Sequence, residues 1–370
     1  MKKRKLLLVP LVSFFVGSML TGCSLLGIEK CTVKFEVMEG HVEVKPIEVF
    51  KNKTMKKPDL SDVLPSYASV ENFVLDHQIF DFNTPITEDI TLSAQMKYDY
   101  SKVLVWEDNH VDRYTSITGY KQALKDKLLY ISDEKIGQYD STHIATNAFE
   151  GCSAIEKLVT PYHVSVGIGA FKDCINLKEA VISDRYVMSG SVLWIKKEMF
   201  KGCTSLTTID IPETVELYIN ESAFENTGLT KFEHYKAYEI DENAFKDCKK
   251  LSEVIIPSVK KIKEGAFSVS EASNLAPSFS LTLASTSRAT LKELGEKVFY
   301  GRTNLTGEFE INKNEIDFVG NYAFGKTGIT KLIIASSSGS ESVHSGFQEF
   351  WNYKEEGSEE TIAVEYRALS

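Results

Sequence analysis

The sequence predicts an α/β repeat solenoid preceded by a small β-rich domain. Three observations predict it. A phrase of a small or apolar residue, Phe, two polar residues and Cys or a small substitute returns, in full or shortened form, eight times in register. An apolar residue follows each phrase at a fixed offset. A short alternating run then ends at Pro. A phase-locked aromatic recurring every 20 to 30 residues is the mark of stacked repeats.

The phrase reads Ala148-Phe149-Glu150-Gly151-Cys152, then Ala170-Phe171-Lys172-Asp173-Cys174 and Met199-Phe200-Lys201-Gly202-Cys203. A shortened form, Ala223-Phe224-Glu225-Asn226-Thr227, precedes the full Ala244-Phe245-Lys246-Asp247-Cys248. Ala266-Phe267, Val298-Phe299 and Ala323-Phe324 complete the series, with steps of 22, 29, 24, 21, 22, 32 and 25 residues. The copies at Phe267 and Phe299 lack the Cys and are separated by an insertion.

Six residues after the Phe lies Ile155, Leu177, Leu206, Leu251 or Leu305, and nine after it Leu158, Ala180, Ile209 or Val254. Runs such as Ile209-Asp210-Ile211 alternate as strands do and stop at Pro161, Pro212 or Pro257. Each unit therefore predicts a turn, a helical or 3₁₀ stretch holding the Phe phrase, and a strand. One unit cannot bury its own apolar face, so neighbours stack Phe on Phe into a continuous core. Cys152, Cys174, Cys203 and Cys248 share one position and read as small buried hydrophobes. Disulfides between neighbouring coils are the alternative in an exported protein. Cys31 has no assigned role.

These Ala-Phe-x-x-Cys-x-x-Leu phrases, with the Ile-Pro or Thr-Pro that follows, resemble the BspA-like leucine-rich repeat family. The resemblance covers residues 113–350. It implies a leucine-rich solenoid on the cell surface, engaged in adhesion or in contact with a host or neighbouring cell.

The N-terminus reads as a sorting signal. Lys2-Lys3-Arg4-Lys5 precedes an apolar run, Leu6 to Leu20, too short to span a bilayer comfortably. It ends in Leu20-Thr21-Gly22-Cys23, which resembles a bacterial lipobox and implies cleavage before Cys23 and acylation of that residue. Two acyl chains anchor stably where one does not. An ordinary secretory signal with an incidental Cys is the rival reading; the small residues before Cys23 favour the lipobox. Residues 1–22 are then the signal and 23–30 a lipidated tether, which places the chain on a bacterial membrane, facing the outside or the periplasm.

Residues 31–98 read as a separate module. Cys31 to Val37 alternates as a strand, and Val42 and Val44 lie in a second candidate. The stretch Phe80-Asp81-Phe82-Asn83-Thr84-Pro85-Ile86-Thr87 through Met96 is similar to the closing strand of the Listeria–Bacteroides repeat, the internalin B-repeat. That family is β-grasp-like. Its Leu-Tyr-Ala-Lys-Trp ending is Leu92-Ser93-Ala94-Gln95-Met96 here, and Phe73-Val74-Leu75-Asp76 replaces its Gly-Trp-Tyr segment. The module reads as a degenerate copy that keeps the fold and acts as a spacer.

Residues 99–112 read as a linker, and the stretch from Tyr114 to Gly137 as an atypical capping coil. Two insertions interrupt the array, Asp184 to Trp194 and Ser268 to Arg288. Insertions map to loops, where binding concentrates, though tolerated loops without a role are the other reading. Tyr186 and Trp194 are the candidate binding residues of the first. Tyr162, Tyr218, Tyr235 and Tyr238 fall near strand positions and either pack between coils or line an exposed face. The aromatics Phe347, Phe350, Trp351 and Tyr353 read as core closure at the end of the array, with 351–370 a C-terminal cap ending in a strand at Thr361–Tyr366.

Composition excludes some function classes. The net charge is −10, and removal of the four basic residues of the leader takes the remainder to −14. Phosphate binding needs clustered Lys and Arg, so nucleic acid is not a predicted partner. The seven His residues are scattered and none has metal-ligand spacing. No phosphate loop or nucleophile elbow is present. The sequence therefore predicts no enzyme, cofactor or metal, and a lipid-anchored surface protein that recognises an extracellular protein. Capture of a glycan or nutrient is the alternative.

Overall fold

The computed structural model describes residues 29–121, 126–133, 135–183, 187–188, 190–283, 291–337 and 343–368. Cys23 and its lipobox, and Tyr186, lie outside these residues. The chain divides into two compact units. One holds the described residues up to Leu64 with Ala68–Tyr98; the other holds Pro65–Tyr67 and the chain from Asp99 onward.

The first unit is a five-stranded mixed sheet. Its order is Ile47–Phe50, Lys30–Glu36, Ile90–Tyr98, Ala68–Leu75, Gln78–Ile79. The first strand runs parallel to Ile90–Tyr98, and the other pairs are antiparallel. Alternation in Lys30–Glu36 puts Cys31, Val33 and Phe35 into the core. There Phe35 meets Phe73 at 5.6 Å, and Phe73 meets Phe82 at 5.7 Å. The second strand lies at Ile47–Phe50 rather than around Val42–Val44. Val42 makes only an isolated bridge to Val37, because the backbone turns left-handed at Met38, Glu39 and Gly40.

The second unit is a stack of coils, each crossing two faces. One face carries the strand after the Phe phrase: Lys157–Pro161, Glu179–Ser183, Thr208–Asp210, Lys231–Glu233 and Glu253–Ile255. The other, lateral face carries the strand before the next phrase: Val192–Ile195, Glu216–Ile219, Ala237–Ile240, Lys261–Ile262, Glu293–Leu294 and Phe318–Val319, six in one sheet. Where strands of neighbouring coils pair they run parallel, and each face is divided into separate sheets: Thr208–Asp210 does not pair with Lys231–Glu233, nor Ser165–Val166 with Val192–Ile195.

The Phe column is continuous. Phe149, Phe171, Phe200, Phe224, Phe245, Phe267, Phe299 and Phe324 are all fully buried. Successive rings stack 5.1–5.9 Å apart. Parallel strands lie about 4.8 Å apart, so the coil spacing sets the ring spacing, with the offset that stacked aromatics favour. Tyr120 caps the column, stacked 6.0 Å from Phe149.

The expected helical stretch is absent. Among the described residues the helical segments are two 3₁₀ turns, Met38–Gly40 and Tyr100–Lys102, both outside the Phe phrases. The unit is therefore a β-solenoid coil, not α/β. The reason lies two residues either side of each Phe. The residue two before it is left-handed in all eight copies: Asn147, Gly169, Glu198, Ser222, Asn243, Gly265, Lys297 and Tyr322. The residue two after is left-handed at Gly151, Asp173, Gly202, Asn226, Asp247, Gly301 and Lys326. A left-handed residue cannot continue a right-handed helix. It also aims the Phe amide outward along the stack. Phe149 N–H thus donates to Ala170 O at 2.8 Å, and Phe245 N–H to Ala266 O at 2.8 Å. These bonds join coil to coil where a helix would bond within itself.

The Cys position has a polar task as well as a packing one. Cys174 Sγ donates to Phe149 O at 3.1 Å, Cys203 Sγ to Phe171 O at 3.1 Å, and Cys248 Sγ to Phe224 O at 2.9 Å. Each thiol satisfies the carbonyl of the preceding coil's Phe. All five described cysteines are free and buried; burial raises the thiols of Cys152 and Cys248 above their ordinary value, and the neighbouring Cys203 thiol, with burial, raises that of Cys174.

Arg302 occupies this position in the coil of Phe299. It is completely buried. Its Nε donates to Phe267 O at 2.6 Å, as the thiols do elsewhere. The rest of the guanidinium crosses the coil of Phe267 and donates to Cys248 O at 3.1 Å and Leu251 O at 3.4 Å. It packs 4.3 Å from the Phe279 ring. The coil of Phe267 has exposed Ser270 and Ser273 where others bury Cys and Leu, and Arg302 fills the space they leave. Burial lowers its pKa to about 10, so it remains a cation at neutral pH.

The ends differ from the middle. Residues 99–112, read as a linker, contain the strand Leu104–Asn109. It pairs antiparallel with Tyr114–Tyr120 and closes the lateral edge as a hairpin, which blunts an otherwise open ladder. At the far end Phe347 and Trp351 are buried and meet edge to face at 5.0 Å, so these aromatics close the core. The last strand, Ala363–Ala368, pairs in parallel with Gly328–Ser336.

Candidate binding site

The lateral face positions the exposed aromatics. In Val192–Ile195, Ile195 points into the core while Val192 and Trp194 are exposed. In Glu216–Ile219, Leu217 and Ile219 point in and Tyr218 points out. Parallel pairing puts Trp194 directly beside Tyr218. A bulge after Leu217 then shifts the register, so that Ala237 and Ile240 both face in and Tyr238 and Glu239 both face out. The result is a row of rings across three coils. Trp194 stacks on Tyr218 at 4.2 Å, and Tyr218 meets Tyr238 at 5.3 Å.

Trp194 and Tyr238 remain 45% and 39% exposed, and Tyr235, in the turn before the last strand, 54% exposed. Burial within the row raises the Tyr218 hydroxyl above its ordinary value, and the nearby carboxylate of Glu216 adds to this. Lys196 Nζ lies 5.9 Å from the Trp194 ring, a cation over an aromatic face. The structure thus places Trp194 in the row and draws in Tyr218 and Tyr238 from other coils; Tyr162 lies elsewhere.

Tyr162 lines a cavity of about 350 Å³. It opens where the lateral face is broken: Ser165–Val166 belongs to the sheet of the capping hairpin, and Val192–Ile195 begins the six-stranded sheet. His163, Ser165, Trp194 and Lys196 share the lining with Tyr162 and with Thr160. Thr160 is 1% exposed, and its hydroxyl has no hydrogen-bond partner among the described residues. His163 Nε2 lies 3.7 Å from Asp133 Oδ1.

The shifted carboxylates have the character of ion-pair partners. Lys127 and Lys178 hold the Glu156 carboxyl down at about 2, and Arg367 and Lys331 do the same for Glu365. Glu198 and Glu233 are also lowered, each by a lysine hydrogen bond. A general acid needs the opposite shift. Among the described residues no group of three His, Cys, Asp or Glu side chains is arranged to hold a metal ion.

Comparison with known proteins bears on part of the array. The model of the BspA type leucine rich repeat region matches residues 184–282 and 280–355, in six copies. These residues are similar to a BspA-type leucine-rich repeat region. The matched segment spans the coils from Phe200 to Phe324 and includes the whole aromatic row. No curated protein matches the chain. Among solved structures, the chain is similar to a leucine-rich repeat protein from Bacteroides ovatus at 21% identity. That match covers 64% of this chain and 70% of the other, with a TM-score of 0.41. A leucine rich cell surface protein from Faecalibacterium prausnitzii matches at 18% identity over 64% of this chain and 88% of its own, with a TM-score of 0.24. The T. pallidum leucine rich repeat protein matches at 18% identity over 56% and 91%, with a TM-score of 0.34.

Three features escaped the sequence reading. Thr160 was legible as a Thr in a column that also holds Ile182, Ile211, His234 and Ile256. Arg302 stood visibly in a Cys position. The meeting of Trp194, Tyr218 and Tyr238 had no sequence signal, since it depends on a bulge.

Proposed function

We propose that this protein is a bacterial surface lipoprotein, acylated at Cys23, whose repeat array recognises an extracellular protein partner and performs no catalysis. The observation that carries the reading is the exposed row of Trp194, Tyr218 and Tyr238, with Tyr235 beside it, on the lateral face of the BspA-type repeats. Aromatic side chains supply large contact area at low entropic cost and dominate interface energetics. Stacked coils present them on a rigid, extended surface, which suits a large partner. The lipobox supports membrane attachment, and the N-terminal unit serves as a spacer between lipid and repeats.

The test is a binding screen with the mature chain carrying Cys23→Ser, probed with extracellular-matrix proteins and mucins. The expected result is saturable binding to a protein probe that weakens at least tenfold in the double variant Tyr235→Ala/Tyr238→Ala. Silence on every probe, or binding indifferent to that variant, would overturn it. Anchoring is tested separately: incorporation of a palmitate analogue into the expressed chain should vanish in Cys23→Ala.

A further inference from the structure

We propose that two copies of this chain join end to end through the strand Ala363–Ala368, paired antiparallel about a two-fold axis at Tyr366. The contact lies at the end of the array and uses no residue of the aromatic row.

The array treats its strand edges unequally. The lateral face is closed at its start by the hairpin of Leu104–Asn109 and Tyr114–Tyr120. The first strand of the other face, Leu128–Tyr130, is capped by two tyrosine hydroxyls. Tyr130 N–H donates to Tyr67 Oη at 2.8 Å, and that hydroxyl donates to Leu128 O at 3.0 Å. Ser132 N–H donates to Tyr100 Oη at 2.8 Å, and that hydroxyl lies 3.1 Å from Tyr130 O. At the far end of the lateral face, residues 346–348 cover Phe318–Val319: Val319 N–H donates to Gly346 O and Gln348 N–H to Val319 O.

Ala363–Ala368 is left otherwise. It pairs with Gly328–Ser336 on one side, and among the described residues nothing bonds its other edge. Folded proteins shorten, charge or cover such edges, and this one is six residues long. Its core-facing side chains are also incompletely covered. Strand pairing sets Val364 beside Leu332 and Tyr366 beside Ile334. Leu332 and Ile334 are fully buried, whereas Val364 and Tyr366 are half-buried.

The charges on the edge identify the occupant as a second copy. In one continuous sheet the core-facing residues of both copies share a face, so the two-fold axis must pass at a residue. At Tyr366 it sets Glu365 opposite the partner's Arg367, and Arg367 opposite the partner's Glu365. Moved to Glu365 or to Arg367, the axis would set like charges against each other. Unlike charges directly across a ladder stabilise it and like charges destabilise it, so the strand selects one register for itself. Both groups are already held in place. Glu365 lies 2.8 Å from Lys331 Nζ and is bonded by Arg367, which lies 3.9 Å from Glu308. The same register puts the two Tyr366 side chains next to each other across the axis and covers the open end of the core. An extended peptide of another protein would satisfy the backbone equally, but it would need the charge pattern that this strand already carries. A six-residue ladder falls in the small, transient class of interfaces, below about 1,200 Å², so the dimer exchanges and is read at high protein concentration.

The experiment is sedimentation of the mature chain carrying Cys23→Ser over a concentration series, which should show a reversible monomer–dimer equilibrium. Glu365→Arg and Arg367→Glu should each sediment as monomer where the parent is half dimeric, because each sets like charges across the axis. Their equimolar mixture should recover the dimer, because two cations of one copy then face two anions of the other. Loss of folding in either variant could not produce that recovery. Register is read separately by disulfide trapping, since the described native thiols are buried. Tyr366→Cys should form a covalent dimer under mild oxidation, as its two thiols meet at the axis. Ala363→Cys should not, as it lies about 20 Å from its symmetry mate. A parent that stays monomeric at every concentration would overturn the proposal. So would a dimer that persists in either charge variant alone, or trapping by Ala363→Cys as efficient as by Tyr366→Cys.

Discussion

Replacement of Phe245 by Ala tests the idea that the array is held by its ring column. Phe245 is fully buried and touches three rings: Phe224 at 5.1 Å, Phe267 at 5.3 Å and Phe232 at 4.9 Å. Truncating a buried Phe costs about 3–5 kcal/mol. Each aromatic pair adds about 0.5–1.5 kcal/mol beyond the area it buries, so three partners place this site toward the upper end. The coil cannot collapse onto the hole, because its backbone is bonded to both neighbours, at Phe224 N–H to Ala244 O and at Phe245 N–H to Ala266 O. For a domain of this size a loss of 1 kcal/mol lowers the melting temperature by about 2–4 °C, so the variant should melt about 6–20 °C lower. Circular dichroism through the melt reads this directly. Phe50→Ala, at a half-exposed ring of the other unit, is the control and should leave the repeat transition in place. A Phe245→Ala transition within 1 °C or so of the parent would refute the column as the source of stability.

Two other perturbations probe polar groups inside the array. Arg302→Lys keeps the charge but cannot reach three carbonyls of two different coils; it should cost about 1.5–3 kcal/mol in urea unfolding, and equal stability would contradict the bridging role. His234 should make stability fall on acidification. It is fully buried, its Nε2–H donates to Pro212 O at 3.2 Å, and its Nδ1 accepts from Lys236 N–H. Burial therefore holds its pKa below the ordinary imidazole value. Above about pH 6.5 neither folded nor unfolded chain binds the proton; below it the unfolded chain takes up a proton that the folded ring excludes, and stability declines. Melting temperatures from pH 7.5 to 5 should drop less steeply in His234→Gln than in the parent, and identical slopes would rule His234 out.

Much of this architecture could be read before the coordinates, for a physical reason. Each coil buries the same side chains against its neighbour, so Phe149, Phe171 and their successors had to recur in phase. The Pro-bounded strands followed from alternation. The turn around each Phe did not follow, because the left-handed positions are only partly marked. Asn147, Gly169 and Asn243 advertise such a conformation, whereas Glu198, Lys297 and Tyr322 adopt it under the pressure of the stack. Capping was legible only in part, since Trp106 and its strand were hidden in a stretch without clear periodicity. The candidate site was the least legible. Trp194 stood out as an aromatic in an insertion, but its partnership with Tyr218 and Tyr238 is a product of register, and a hydroxyl without a partner is not visible in a string of letters.

Arg302 has a consequence for how such an array can change over generations. Four coils bring their own Phe, Cys and a following Ile or Leu, so gain or loss of one such segment leaves a similar interior on either side. The coil of Phe267 is different: part of its interior comes from Arg302 in the next coil, and that side chain is secured in turn by carbonyls of the coil of Phe245. Deleting or copying a single coil at this point would strand a cation in an apolar core or leave a hole beneath Phe267. The smallest segment that can be exchanged there is two coils long, which makes this joint a fixed point in the length of the repeat.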